Sequence, residues 1–312
     1  MNRFAELLDR LSYEPGRNNK LRLITQYFRD VPDPDRGYAL AALTGALSFK
    51  HAKAGLIREL IAARSDPELF ALSYDYVGDL SETVALMWPK TETSSPLKDT
   101  QRGHNNPPPP SLTEVVTTLA TLGKAEMPAQ LTRWLDELDE TGRWALLKLV
   151  TGAMRIGISA RLAKTAAAAL GDKDPHDVEL IWPGLAPPYP DLFAWLEGRG
   201  DKPANRDVAP FRPVMLAHAI ETDEFEALDA RDFIAEWKWD GIRVQAVSGR
   251  DDDGNIVARL YSRTGEDISK GFPDLLPSLH LPGAIDGELL VLREGRVQSF
   301  NVLQQRLNRK SV

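Results

Sequence analysis

Apolar residues between positions 1 and 200 recur at intervals of three and four, the spacing that places them on one face of a helix. The clearest of these stripes cover residues 4–11, 112–119 and 131–138. Ser159 precedes an alanine-rich run, residues 160–170, as an N-cap residue precedes a helix. Strand-like alternation is not evident in this half. The pattern therefore predicts an all-α domain over residues 1–200.

Two stretches rich in proline and polar residues interrupt this pattern. Residues 90–111 contain Leu97 as their only large apolar side chain apart from the prolines, which predicts a mobile loop inside the helical domain. A proline-rich docking motif is the alternative for that stretch. Residues 201–213 are predicted to be the linker between two domains.

After residue 213 the pattern changes to short strand-like runs separated by turns. The runs cover residues 233–237, 244–247, 256–261, 284–292 and 297–300. A turn at Asp240-Gly241 and a polar loop at residues 249–255 fit hairpin connections. The loop contains three consecutive aspartates, for which a solvated hairpin tip is favoured over a metal cluster. The second domain, residues 214–312, is therefore predicted to be α+β with an incomplete antiparallel sheet.

Composition narrows the class of protein without choosing a function. The 312 residues are 43% hydrophobic and 27% charged, which is typical of globular proteins. The sequence has no cysteine and five scattered histidines, so disulfides, thiolate chemistry and a zinc site are not expected. Long apolar runs and a secretion signal are absent, which predicts a soluble cytoplasmic protein with no membrane partner. The formal net charge of −7 argues mildly against nonspecific nucleic-acid binding, but a local basic face remains open.

The segment from Glu236 to Arg243, E-W-K-W-D-G-I-R, carries the clearest candidate chemistry. Lys238 is predicted to leave a strand at a tight turn, between two tryptophans. A lysine acts as a covalent nucleophile only when it is neutral, so its surroundings must disfavour the charged form. The tryptophans could supply apolar walls and Arg243 a nearby cation. A surface hairpin with an ordinary salt bridge is the alternative.

Four segments within about 75 residues resemble, in order, motifs of the nucleotidyltransferase superfamily of ATP-dependent DNA ligases, RNA ligases and capping enzymes. The segment at Lys238 resembles motif I of that superfamily. Residues 261–267 resemble its S-R-x-G element, residues 284–289 its D-G-E strand, and residues 300–306 the F-x-x-L-Q-x-R segment of DNA ligases. Residues 152–159 resemble the R-I-G element of the helical DNA-binding domain of ligases. The chain is thus identified as a member of the ATP-dependent DNA ligases, of the bacterial type with an N-terminal helical DNA-binding domain.

The resemblance implies a reaction through a lysyl-AMP intermediate that seals a nick in duplex DNA. Lys238 would be the nucleophile, Glu236 would contact the adenine, and Phe300 would stack on the adenine ring. Arg243 and Arg263 would lie near the phosphates. Glu288 would hold a ribose hydroxyl or help position a metal. Asp240 and Asp286 are more simply structural, as residues that orient their neighbours.

The same resemblance implies the cofactors and partners. ATP and Mg²⁺ are expected as cofactors, because phosphoryl-type transfer depends on neutralising charge. Nicked double-stranded DNA is the expected partner, bound through backbone contacts from Arg155, Gly157, Arg161 and Lys164. Other DNA-repair proteins are further candidates. Replication, repair and recombination are the processes expected to use such an activity.

The family pattern continues with motifs that do not occur before Val312. These are a second catalytic carboxylate in an E-G-x-x-x-K/R motif, a strand with paired lysines and an OB-fold domain. The chain is therefore expected to be a ligase fragment that binds DNA weakly and does not seal nicks alone, with a C-terminal portion as a possible partner. A non-catalytic DNA-binding or partner-binding remnant is the main alternative, and a capping-type guanylyltransferase a weaker one.

Overall fold

The computed structural model describes residues 1–89, 109–152, 154–205, 207–215, 219–280 and 282–307. Most of the stretch 90–111, predicted to be a loop, lies outside these ranges. Its last residues are described: the N-terminal amine of Met1 donates to the carbonyl of Pro110 at 2.6 Å, and Ser111 caps the helix that follows.

The described residues divide into two compact units. The first comprises Met1–Val178 and Ala186–Pro203, and the second Glu179–Leu185 and Ala204–Val312. Part of the stretch 201–213, predicted to be a linker, belongs to the second unit. Ala209 is fully buried there, in a cluster with Val247 and Tyr261. The proline content of the stretch indicates a linker, but it does not predict that Ala209 packs against Val247 and Tyr261.

The described residues up to about 200 are mainly helical, as predicted. They are α1 (Asn2–Tyr13), α2 (Arg17–Asp30), α3 (Asp35–Leu43), α4 (Ala54–Ala62), α5 (Pro67–Val77), α6 (Leu80–Met87), α7 (Leu112–Thr121), α8 (Met127–Glu137), α9 (Glu140–Thr151), α10 (Ala160–Leu170), α11 (Pro175–Ile181) and α12 (Pro190–Leu196). Several begin at a side chain that accepts a hydrogen bond from a first-turn amide: Asp66, Asp79, Ser111, Asp139 and Ser159.

The predicted apolar stripes form the core of the first unit. Phe4, Leu8 and Leu11 of α1 are buried, as are the stripes of α7 and α8. Helix α2 is joined to α10 by the hydroxyl of Thr25, which donates to the carbonyl of Ala166 at 2.9 Å. None of the described helices combines the length and the apolar character needed to cross a membrane.

A small antiparallel sheet forms the centre of the second unit. Its strands are β1 (Ile242–Arg250), β2 (Ile256–Ser262) and β3 (Gly283–Leu289), in the order β2-β1-β3. A two-stranded ribbon, β4 (Leu292–Arg293) and β5 (Arg296–Val297), and helix α13 (Phe300–Leu307) follow. The helix-rich first part and the antiparallel sheet thus confirm the predicted fold at that level.

The two faces of the sheet carry different contacts, because side chains alternate along each strand. One face, with Val244 and Leu260, is covered by Phe272 and by Leu303 of α13. On the other face lie Val247 and Tyr261, covered by Ala209 and Phe211. The strand register places Arg243 and Glu288 on this second face, which we call the Arg243 face.

Three strand predictions need correction. Residues 233–237 form no strand, and none of β1, β2 and β3 pairs with this run. The run 284–292 is divided between β3 and β4. The run 297–300 contributes only Val297 to a strand, and Phe300 begins α13. A run of apolar residues indicates the tendency to pair, but the available partners are set by the rest of the sheet.

The three aspartates of the β1–β2 connection form a hairpin tip, as predicted. The carboxylate of Asp251 accepts from the backbone amides of Asp253 and Asn255 at 3.1 and 2.8 Å. These bonds use the carboxylate to close the turn, as aspartate commonly does.

Candidate functional site

Lys238 lies in an irregular segment that precedes β1. Trp237 is 86% exposed and Trp239 is 47% exposed, so the tryptophans do not enclose the lysine as the sequence suggested. Lys238 is itself exposed, and its ammonium is 3.5 Å from the carbonyl of Trp239. The predicted apolar walls are therefore not formed, because the segment has no strand on either side to pack against. Glu236 is also exposed.

The turn after Lys238 is joined directly to β3. The backbone amide of Gly241 donates to Oε1 of Glu288 at 3.1 Å. A Cβ atom at residue 241 would come within 2.3 Å of the carbonyl oxygen of Leu289, so only glycine allows this approach. Two separate motifs of the sequence, K-x-D-G and D-G-E, thus meet at this point.

Arg243 extends the same group of side chains. It forms an ion pair with Asp286, and its Nε also lies 3.3 Å from that carboxylate. The hydrogen bond that Arg243 donates to Asp286 raises the pKa of Arg243, and the charges of Glu288 and Glu236 act in the same direction. Asp286 is therefore paired with Arg243, and the guanidinium lies in the field of three carboxylates.

Arg263 and Phe300 lie on other elements. Arg263 follows Ser262, which pairs with Val244, so it comes at the end of β2 level with Arg243. Its side chain is exposed and has no ion-pair partner in the described part of the chain. Phe300 is half-buried at the start of α13, whose Leu303 packs on the face opposite Arg243. The structure brings together Arg243 and Glu288 on paired strands, and Phe300 lies on a separate element, α13.

The D-G-E strand offers a magnesium ion one carboxylate that forms no ion pair among the described residues. The described residues contain no group of three or more His, Asp or Glu side chains that could hold a metal. Asp286 is paired with Arg243, whereas Glu288 accepts only the backbone amide of Gly241 within this part of the chain. Magnesium sites at phosphates commonly use one or two carboxylates, with phosphate oxygens and water as the other ligands. Glu288 fits that arrangement as a single protein ligand.

The turn at residues 152–159 lies between α9 and α10. Arg155 and Gly157 are exposed and adopt left-handed backbone angles, with φ of 47° and 66°, whereas Ile156 is buried. From α2, the ammonium of Lys20 donates to the carbonyls of Ile156 and Gly157 at 3.0 and 3.2 Å. Lys20 is only 9% exposed. A buried cation thus holds this turn through its backbone.

The first turn of α10 continues from that loop. The hydroxyl of Ser159 accepts from the amide of Leu162 at 3.1 Å. In the described residues, the amides of Ala160 and Arg161 have no protein partner, which leaves donors of the kind that bind phosphate. Arg161 is exposed and Lys164 is half-buried. The four residues predicted to bind DNA therefore lie within one loop and the helix it opens.

Lys20 is absent from the sequence predictions, as is Gln245, whose contacts are described below. Each makes its contact with a residue far away in the chain: Lys20 is 136 residues from Ile156, and Gln245 is 33 from Arg212. A local motif carries no signal for such a contact. Paired substitution in related sequences is the signal that could reveal it.

Both parts of the chain match known families. Residues 1–168 match the family model described as the DNA ligase N terminus, and residues 214–312 match the one described as the ATP dependent DNA ligase domain.

Several curated relatives agree with these matches. DNA ligase 1 of Korarchaeum cryptofilum is 26% identical over the whole of this chain and 57% of its own length. A probable DNA ligase of Koribacter versatilis is 33% identical over 54% of this chain and 28% of its own length. The DNA ligase of Archaeoglobus fulgidus is 31% identical over 53% of this chain and 30% of its own length. The chain thus spans between about a quarter and somewhat more than half of these relatives.

Proposed function

Because this chain belongs to the ATP-dependent DNA ligase family, we propose that it binds nicked duplex DNA and attaches AMP to Lys238, the first step of a nick-sealing reaction that this chain, as a fragment, does not complete alone. The observation that carries the proposal is the contact of the Lys238 segment with the D-G-E strand, through Gly241 and Glu288. That contact joins a nucleophile to charged residues suited to a nucleotide.

In the first step, Nζ of Lys238 attacks the α-phosphorus of ATP. A phosphorus–nitrogen bond forms as the bond to the bridging oxygen of pyrophosphate breaks, pyrophosphate leaves, and the nitrogen gives its proton to solvent. Solvent reaches this amine because Lys238 is exposed. The neutral amine is the reactive form of a lysine nucleophile.

The charged side chains around Lys238 bind and orient the nucleotide. Arg243 and Arg263 contact phosphate oxygens, and Glu236 and Phe300 contact the adenine. Glu288 would accept a ribose hydroxyl or supply a carboxylate to a magnesium ion, which when bound would neutralise phosphate charge. Arg243 is positioned for its role by Asp286.

Two further transfers, which this chain does not carry out alone, complete the proposed reaction. An oxygen of the 5′-phosphate at the nick attacks the phosphorus of the lysyl-AMP, and the phosphorus–nitrogen bond breaks. The 3′-hydroxyl then attacks the 5′-phosphorus, a phosphodiester forms and AMP leaves. The DNA is held through its backbone by Arg155, Gly157, Arg161 and Lys164, because an enzyme that seals any nick cannot depend on base sequence.

Intact-mass measurement after incubation with ATP and Mg²⁺ tests the first step. We expect an added mass equal to one AMP group, lost in a Lys238→Ala variant. Lys270→Ala, which removes an exposed lysine of the same unit, is the matched control and should keep the adduct. An adduct that persists in Lys238→Ala would contradict the assignment of the nucleophile.

A non-catalytic DNA-binding protein is the second candidate. The exposure of Lys238 favours it, because the described residues do not build the apolar surroundings that make a lysine nucleophilic. Absence of the adduct in a folded protein that binds nicked duplex would support this candidate and overturn the first. A larger adduct with GTP than with ATP would instead support a guanylyltransferase.

A further inference from the structure

A segment ahead of the sheet crosses the Arg243 face and is fixed to it at several points. Asp207 forms an ion pair with Arg259, and the hydroxyl of Tyr261 donates to the carbonyl of Ala209 at 2.8 Å. The carbonyl of Val208 lies over Gly249, where a Cβ atom would come within 1.8 Å of it. Residues 207–212 therefore have a defined path over β1 and β2.

The segment ends at a clamp formed by Gln245. The side-chain oxygen of Gln245 accepts from the amide of Arg212 at 2.7 Å, and its side-chain nitrogen donates to the carbonyl of Arg212 at 3.0 Å. Gln245 is only 5% exposed. A buried amide that accepts through its oxygen and donates through its nitrogen in this way fixes the backbone of one residue, Arg212, as a neighbouring strand would.

The path of the segment leads toward the candidate nucleotide site. It passes Gly249 first and Gln245 last, so it runs along β1 in the direction of Arg243. Gln245 and Arg243 are two residues apart on one face, a separation of about 7 Å. Phe211 packs on Tyr261, with ring centroids 5.6 Å apart, and lies 2.9 Å from the Cβ position at Gly265, in the turn that carries Arg263.

The side chain of Arg212 has a different environment from its backbone. It is exposed, and no carboxylate in the described ranges pairs with it. The other arginines of this face include Arg243 and Arg259, which are paired with Asp286 and Asp207. Arg212 and Arg263 are thus two uncompensated cations at one end of the sheet, and one of them has a rigidly held backbone.

We infer that Arg212, positioned by Gln245, is a further phosphate-binding residue of this site. The inference rests on the proposed function, which supplies two sources of phosphate: the triphosphate of ATP and the 5′-phosphate of a nick. An arginine forms paired hydrogen bonds with either, since its planar donors match phosphate oxygens. Gln245 is a positioning residue, because it acts through the backbone of Arg212.

Binding measurements in a Lys238→Ala background test this role, because ATP is then not consumed. The titrated ligands are ATP with Mg²⁺, a nicked duplex with a 5′-phosphate, and the same duplex with a 5′-hydroxyl. We expect Arg212→Ala to lower the affinity for the phosphate-bearing ligand by about tenfold, the loss typical of one charge-assisted hydrogen bond. A loss with ATP identifies the triphosphate, and a lost preference for the 5′-phosphate identifies the nick.

Further variants separate the role of the side chain from that of the fold. Arg212→Lys should retain part of the affinity. Gln245→Ala should lower the affinity for the same ligand, although Arg212 is still present. Arg293→Ala, which removes an exposed arginine of β4, is the control and should change none of the three Kd values. Arg212→Ala should also leave thermal unfolding unchanged, because the clamp holds only the backbone of this residue.

The outcomes distinguish this inference from the proposed function. Equal Kd values for Arg212→Ala and Arg293→Ala would overturn the inference, even if Lys238 forms its AMP adduct. Binding that depends on Arg212 in a chain whose Lys238 forms no adduct would support the inference and overturn the proposed chemistry. If a chain with unsubstituted Arg212 bound none of the ligands, both would be overturned.

Discussion

Single charged residues in the interior of this protein are held by several partners at once. Arg36 is 4% exposed, contacts Asp33 and Glu197 through ion pairs, and donates to the carbonyl of Phe28 at 3.1 Å. Its guanidinium also lies 4.3 Å from the ring centroid of Phe193. A buried charge lowers stability unless it is paired in this way, so removal of one partner is expected to destabilise the folded protein.

Glu197 is the partner whose titration reports this cluster. The hydrogen bond from Arg36, helped by Arg199, lowers the pKa of Glu197 from 4.5 to about 2. The ionised carboxylate of Glu197 therefore stabilises the folded protein fully above pH 4.5, and this stabilisation is lost as the pH falls from 4.5 to about 2. We expect Glu197→Gln to unfold more easily at pH 7, by about 2 kcal/mol, and to lose this part of the acid dependence.

Urea unfolding at pH 7 and in the acid range measures both effects. Glu59→Gln, at an exposed position on α4, is the matched control and should keep the stability and the acid dependence of the unsubstituted chain. Parallel pH curves for Glu197→Gln and the unsubstituted chain would contradict the role given to this pair.

Lys20 provides a second test at the residue scale. In Lys20→Met the carbonyls of Ile156 and Gly157 lose their donor, which we expect to lower stability by about 1–3 kcal/mol. Binding of nicked duplex should weaken as well, because the turn that carries Arg155 is no longer held. Arg22→Met removes an exposed charge from the same helix and is the control. Equal DNA affinity of Lys20→Met and Arg22→Met would show that Lys20 does not contribute to DNA binding.

At the scale of elements, the candidate site depends on how closely the turn before β1 approaches β3. The amide of Gly241 reaches Glu288, and the backbone of Leu289 leaves no space for a side chain at residue 241. The neighbouring glycine of the D-G-E motif differs, since a Cβ atom at Gly287 would have nothing within 4 Å. Steric contact therefore requires glycine at residue 241 but not at residue 287, although both glycines occur in D-G pairs.

This difference gives a matched pair of substitutions. Gly241→Ala should destabilise the protein by about 1–3 kcal/mol and displace Glu288 from the turn, because the added methyl group has to move the backbone of β3. Gly287→Ala should change stability by less than about 0.5 kcal/mol. Thermal unfolding and formation of the AMP adduct measure the two consequences. Equal loss in both variants would show that the approach of the turn to β3 is not the cause.

At the scale of the whole molecule, affinity for DNA has to come from a local surface. The chain carries a formal net charge of −7, so its overall field repels a polyanion. The loop at Arg155 and the first turns of α10 bring cations and two free amides together within one short region. Binding through such a region depends strongly on salt, since each phosphate contact releases counterions.

Salt titration measures how many phosphates this region contacts. Arg161→Ala should weaken the binding of nicked duplex and reduce the slope of log K against log salt by about one, the value for one lost phosphate contact. Arg133→Ala, at an exposed position on α8, removes the same charge and should leave the slope unchanged. An unchanged slope in Arg161→Ala would show that Arg161 does not contact a DNA phosphate.

The sequence by itself determined the local features of this protein. The apolar stripes of α1, α7 and α8 and the cap of α10 are fixed by residues within a few positions of one another, and they could be predicted. The motifs around Lys238 and Glu288 likewise identified the family and the residues to examine.

Contacts between distant parts of the chain were decided only by the tertiary structure. The run 233–237 has strand-like composition, but no strand of the described sheet pairs with it. Lys238, which follows this run, is exposed. Packing of Ala209, the clamp of Gln245 on Arg212, and the hold of Lys20 on Gly157 arise because these side chains meet residues that are remote in sequence. Local composition reports what a segment favours, whereas its partners depend on how the whole chain folds.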